Sequence, residues 1–190
     1  MRSHTGRRRN DEARRAILDA AADLLRDGGP AGITIDRIAS EAGVGRQTIY
    51  RWWPSKGAVL AEAMTTLAAA AVAGPWSGTL AHDLHTFIAA TFRAAGDETT
   101  AGLLRATLSE ALRDEPAASA LADFTARRRE QLATLIAKAR RRGEIGADAD
   151  VDLVVEQVFG VLWYRIAVTR EPLRADLADR LTAAAMALLR

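Results

Sequence analysis

Residues 34–56 read TIDRIASEAGVGRQTIYRWWPSK, and this stretch decides the fold. Thr34 is a helix-capping type, and Asp36 then stands in a first turn, where a negative charge meets the positive helix end. Ile35, Ile38 and Ala39 recur at helical spacing and give that helix a buried side. Ala42-Gly43-Val44-Gly45 breaks it, and Gly43 can take the left-handed backbone that redirects the chain. Arg46 to Trp53 predicts a second short helix. Pro54 ends it, and Ser55 caps a longer helix that runs to about Ala73. Two short helices around a glycine turn, with a capped restart behind them, have the pattern of a DNA-binding helix-turn-helix.

The sequence before this stretch supports the reading. Arg2, Arg7, Arg8 and Arg9 predict a polar arm over residues 1–10, disordered when free. Asn10 or Asp11 can cap a first helix, in which Ile17, Ala20, Ala21, Leu24 and Leu25 repeat at helical spacing until Gly28-Gly29-Pro30. The helix-turn-helix domain is therefore expected over residues 11–56, with the helix of residues 55–73 as its link onward. Formal net charge is only +2, but residues 1–56 hold 11 Arg or Lys against 7 Asp or Glu, while residues 57–190 hold 15 against 17. The basic excess sits with the helix-turn-helix, as expected where one end of a molecule meets phosphates.

Gly74-Pro75-Trp76-Ser77-Gly78 is the best boundary in the chain and opens a body over residues 74–190. Five further helices are expected there, at about 79–95, 101–113, 116–142, 150–169 and 173–189. There is no sustained alternation of period two, so the predicted fold class is all-α with about nine helices. Cysteine is absent, which excludes disulfides and thiolate metal sites. No apolar run reaches membrane-spanning length and no apolar segment follows the basic N-terminus, so the expected location is the bacterial cytoplasm.

Residues near the start of the recognition helix face base edges in such motifs. Here they are Gly45, Arg46, Gln47 and Thr48. Arginine reads guanine, glutamine reads adenine, and threonine meets a thymine methyl. Tyr50 can reach a phosphate, Arg51 and Lys56 add charge, and the helix starts at Thr34 and Ser55 offer free N–H groups. Trp53 is expected in the core. Trp52 either packs on the DNA backbone or shields the bundle.

At these residues the chain resembles the N-terminal domain of the tetracycline-repressor (TetR/AcrR) family of transcriptional regulators. The resemblance covers roughly residues 12–63. It rests on Arg15-Ala16-Ile17-Leu18, Ala20-Ala21, Leu24, Gly28-Gly29, Ile33-Thr34, Ile38-Ala39, Ala42-Gly43-Val44, Thr48-Ile49-Tyr50 and Pro54-Ser55-Lys56. It implies phosphate contacts from Thr34, Tyr50 and Lys56, and base or near-base contacts from Arg46, Gln47 and Thr48. Trp52-Trp53 departs from the His-Phe common in the family, so only an indole N–H is available for any phosphate contact at 52.

The resemblance also implies dimerisation through the last two helices. Val154, Val158, Val161 and Leu162 on one, and Leu177, Leu181, Ala185 and Leu188 on the other, are the expected interface, although both stripes also suit a monomer core. It further implies a pocket in the body, for which Phe87, Thr91, Leu104, Thr107, Leu108, Phe124, Gln157, Trp163 and Tyr164 are candidates. Aromatics at helical spacing equally make plain core. Arg127–Arg129 and Arg140–Arg142 read as solvated helix faces. His82 and His85 are too few for a metal site and read as an exposed helix start. No catalytic motif such as G-x-S-x-G, a P-loop or H-E-x-x-H is present, and no cofactor is implied.

The expected function is that of a homodimeric regulator, most simply a repressor, which holds a pseudo-palindromic operator and releases it when a small apolar molecule occupies the body. The alternatives are a DNA-binding dimer without such a ligand or under a protein partner's control, and a helical interaction module that does not bind DNA.

Overall fold

The computed structural model describes residues 4–28, 32–71, 78–146 and 148–190. Among these, nine α-helices carry the fold. They are α1 His4–Gly28, α2 Ile35–Glu41, α3 Arg46–Tyr50, α4 Lys56–Ala71, α5 Leu80–Gly96, α6 Glu98–Ala111, α7 Glu115–Arg141, α8 Val151–Trp163 and α9 Ala175–Leu188. The expected all-α class is therefore observed. The expected arm is helical from His4, so neither Asn10 nor Asp11 caps α1. Arginine is a good helix former, and no proline interrupts residues 4–11. Most of the expected boundary, residues 74–77, lies outside the described residues, as do the last two residues expected in the preceding helix.

The chain forms two compact units. The first comprises Met1–Thr66 and Glu98–Ala122; the second comprises Leu67–Asp97 and Asp123–Arg190. The unit bounds thus fall inside α4 and α7.

In the first unit α1 packs on α2 and α6, and α2 packs on α3. Ile17, Ile38, Ile49 and Val59 are fully buried, with Leu60 and Leu103 beside them in burial. Thr34 caps α2: its Oγ accepts the Arg37 N–H at 3.2 Å. Gly43, at φ 64, makes the left-handed step between α2 and α3.

The start of α4 is tied to the turn between α6 and α7. The Ser55 Oγ caps α4 at the Ala58 N–H and donates its own proton to Asp114 at 2.6 Å. Asp114 in turn caps α7 by accepting the Ala117 N–H at 2.9 Å. Gly57 fits this joint for want of a side chain, since a Cβ there would lie 2.3 Å from that of Ala117.

In the second unit α5 lies along α9, and α8 also packs on α9. Leu84, Ile88, Val154, Val158 and Ala185 are fully buried there, and Phe87 meets Phe159 edge-to-face with ring centres 6.4 Å apart. The helix expected over 150–169 changes character at Tyr164. Residues Tyr164–Thr169 form a π-helical turn, ended by Arg170 in the left-handed region at φ 55. Arg165 braces the following loop through the Pro172 carbonyl and Glu171, both at 3.0 Å.

Candidate nucleic-acid interface and body cleft

The helix-turn-helix turns one side inward and leaves the other free. Ile49 on α3 is fully buried beneath the motif. Gly45, Arg46, Gln47, Tyr50 and Arg51 are exposed and Thr48 is half-buried. Tyr50 stands 53% exposed. The Arg46 guanidinium lies 3.0 Å from Asp36 of α2, an exposed pair that a base or phosphate can displace at little cost. Arg51 donates to Asn10 of α1 at 3.1 Å, and its guanidinium sits 4.9 Å from the centre of the Trp52 ring. This stacking holds Trp52 at the edge of the bundle, half-buried.

Trp53 is core, as expected, at 3% exposed. Its indole Nε1 donates to Glu62 of α4 at 2.8 Å, and Arg14 of α1 pairs with the same carboxylate at 2.7 Å. Glu62 therefore ties α1, the end of the motif and α4 together. Lys56 is not free: its Nζ lies 2.9 Å from Glu110 of α6, with both side chains 28% exposed. Neither Glu62 nor Glu110 was legible as a partner, because both act across helices far apart in sequence.

The candidate pocket residues are divided between the two units. Leu104 and Thr107 are buried on α6, in the first unit, with Leu108 half-buried beside them. The apolar face of α6 is occupied there against α1: Leu25 comes within 3.3 Å of the position a Cβ on Gly102 would take. Phe124 is buried, Gln157 and Trp163 are half-buried, and Tyr164 is 58% exposed.

The second unit instead holds a cleft of about 610 Å³ between α5 and α7, lined by Phe87, Gln131, Thr134 and Leu135 among others, and of the candidates only Phe87 lines it. Arg127, Lys138 and Arg142 also line it, as do Asp83 and Glu130. At its rim the Glu144 carboxylate accepts the Leu80 N–H at 2.6 Å and pairs with Arg142. The backbone bond, then Arg142, hold its pKa below the ordinary glutamate value against the opposing effect of desolvation.

Arg128 corrects the reading of residues 127–129 as a solvated face, being only 7% exposed. Its Nη2 donates to Thr91 and its Nη1 to Gln131, each at 2.8 Å, and its guanidinium lies 5.1 Å from the Phe87 ring centre. Burial pushes its pKa down. The signal was in the sequence: position 128 falls four residues after Phe124 and four before Leu132, on the buried stripe of α7.

The proposed dimer residues also divide. Val154, Val158, Leu162, Leu181 and Ala185 are buried within the chain, where α9 packs on both α5 and α8. They belong to its core. Leu153, Tyr164 and Val168 of α8 and its π turn remain exposed, Val161 and Leu177 are half-exposed, and Leu188 is exposed. His85 lies 2.9 Å from Asp179 of α9.

Comparison with known proteins gives a consistent result. Residues 17–63 match the family described as "Bacterial regulatory proteins, tetR family", and residues 74–185 match "Tetracyclin repressor-like, C-terminal domain". The HTH-type transcriptional regulator YdeS of Bacillus subtilis is 31% identical over 177 residues, covering 89% of this chain and 85% of its own. The regulator AqdR of Rhodococcus erythropolis is 28% identical over 163 residues, or 84% and 78% of the two chains. Among solved structures, the TetR family transcription regulator SCO0332 superposes with a TM-score of 0.75 at 29% identity, over 94% of this chain and 99% of its own. GusR of Salmonella enterica shares the fold, with a TM-score of 0.72 at 22% identity over 93% and 95%.

Proposed function

Starting from the premise that this chain belongs to the tetR family of DNA-binding transcriptional regulators, we propose that it is a homodimeric repressor released from its operator by a small molecule in the second unit. The observation that carries the DNA part is the division of α3: Ile49 fully buried, with Arg46, Gln47 and Tyr50 turned outward from a basic head. In this reading Arg46, Gln47 and Thr48 face base edges, with Gly45 letting the backbone approach. Thr34, Tyr50, Arg51 and Lys56 take phosphates, and Trp52 supports Arg51 at the backbone. Phosphate contacts supply affinity and position; base contacts supply the choice of sequence.

One short recognition helix reads few base pairs, so a second copy is needed for specificity. The exposed apolar residues of the last two helices support a pairing face of Leu153, Val161, Tyr164 and Val168 with Leu177 and Leu188. Gly160 is exposed on this side and the space beyond its Cα is open, which suits close approach of a partner helix. A dimer places its two recognition helices about one DNA turn apart, roughly 34–36 Å.

Release follows from linkage: an effector that prefers a state with another spacing weakens DNA binding by the same factor that DNA weakens effector binding. Helix α7 is suited to couple the two events. Its first turn is capped beside Ser55 at the start of α4, and its later residues Arg127 to Lys138 line the cleft. Such a protein acts in the bacterial cytoplasm.

Selection of random duplexes by the purified protein, followed by sequencing, tests the reading. The expected product is an inverted repeat bound by one dimer, with half-site centres one helical turn apart or a multiple of it. Enrichment of no sequence, or of unpaired half-sites, contradicts it.

A further inference from the structure

The feature of the second unit that the packing does not explain is Arg128. A buried guanidinium is ordinarily paired with a carboxylate. Among the described residues this guanidinium forms no ion pair; its hydrogen bonds go to two neutral oxygens, those of Thr91 and Gln131. The face of Phe87 adds an attraction for the cation but no countercharge. Both Phe87 and Gln131 line the 610 Å³ cleft, so the buried charge stands directly behind its wall. Because Gln131 accepts from Arg128 through Oε1, its amide NH₂ is left to donate.

The cleft itself has the matching chemistry. Arg127, Gln131, Thr134 and Lys138 follow one another at three- and four-residue steps along a single stripe of α7, and Arg142 stands just past its end. Arg142 is taken by Glu144, whereas among the described residues neither Arg127 nor Lys138 forms an ion pair. Two acids also line the cleft, Asp83 and Glu130. Asp83 is buried, and Glu130 is exposed to solvent, as Arg127 and Lys138 are, so solvent screens all three alike. Phe87 and Leu135 supply apolar wall, and the volume is of the size that small-molecule sites take.

We propose that this cleft binds a small organic anion, a carboxylate with an apolar tail, whose charge answers the buried Arg128 through the Gln131 amide and Lys138 while its tail lies on Phe87 and Leu135. This rests on the reading of the second unit as the effector-binding part, and it names the ligand class. Arg128 acts as a positioning residue: it orients Gln131 and sets a positive charge behind the wall without itself being a lining residue. The same arrangement disfavours a cation of equal size.

The test compares decanoate, decanol and decylamine, three probes with one tail and different heads, by calorimetric titration and thermal shift of the full-length protein. Operator binding is followed in the same samples. Decanoate is expected to bind and to raise Tm, with decanol about tenfold weaker or worse and decylamine without effect. Lys138→Gln, a surface change, is expected to weaken decanoate severalfold and leave decanol unchanged. Arg128→Met is expected to abolish the preference for decanoate over decanol while Tm of the ligand-free protein holds or rises, because an unpaired buried charge has been removed.

Equal binding of decanol, stronger binding of decylamine, or undiminished decanoate binding in Lys138→Gln overturns the proposal, as does binding of none of the three. Should Arg128→Met fail to fold, Lys138→Gln and the three probes still decide. If decanol or decylamine binds better and releases operator, the effector reading stands while the anionic class falls. If no effector of any charge releases operator, the wider reading fails.

Discussion

Replacing Glu110 by glutamine is expected to move DNA affinity and stability in opposite directions. Lys56 Nζ lies 2.9 Å from the Glu110 carboxylate, and both side chains are partly exposed. The two helices are close here, since a Cβ on Gly57 would lie 3.1 Å from the Cβ of Glu110. If Lys56 takes a phosphate, it must leave or share this partner. A partly exposed pair of this kind contributes about 0.2–1 kcal/mol. Glu110→Gln therefore lowers folding stability by about that amount, because the ion pair is lost. It raises operator affinity about 1.5- to 5-fold, because the competition with phosphate is lost. The dependence of log K on log salt should also steepen by up to about 0.9, the share of one additional neutralised phosphate. Fluorescence anisotropy on an operator duplex over a salt series gives affinity and slope, and urea denaturation gives stability. Affinity that falls or stays constant across the salt series, with stability reduced as expected, would refute Lys56 as a phosphate ligand and leave it a structural residue.

Other consequences are open to direct measurement. Trp53→Phe keeps the packing but removes the indole donor to Glu62, and should lower stability by about 1–2 kcal/mol in denaturant titration. Tyr164→Asp with Val168→Asp places charge on the exposed apolar face, and should give monomers by light scattering with the helical circular dichroism retained. Glu144→Gln tests the depressed pKa. A carboxyl whose folded pKa is lowered stabilises the protein above its unfolded pKa, and that advantage is lost as pH falls through the folded value. The variant should be less stable than wild type at neutral pH and equal to it in acid.

The head was legible because its signals are local. Thr34 and Ser55 are cap residues read directly, Gly43 marks a left-handed turn, and Ile38 and Ile49 follow the helical period. The nine helices were legible for the same reason. What escaped is what depends on tertiary partners. Periodicity reports that Val154, Val158 and Leu162 are apolar, but not that packing within the chain, with α9 on α8, already buries them. Leu104 and Thr107 have the composition of a pocket wall, yet α6 packs on α1. The π turn at Tyr164 and the left-handed Arg170 follow no local residue preference. Arg128 lay hidden in a run of three arginines, although its register on α7 marked it as buried.

The central claim is that α3 chooses the DNA sequence. It is tested most directly by measuring affinity for the selected operator and for a scrambled duplex at one salt concentration, with wild type and with Arg46→Ala/Gln47→Ala. Each base-reading side chain carries about 1–3 kcal/mol of discrimination. The double variant should therefore lose operator affinity by about 30-fold or more while scrambled-duplex affinity changes far less, chiefly through the one lost charge. Equal losses on both duplexes, or undiminished discrimination, would contradict the account.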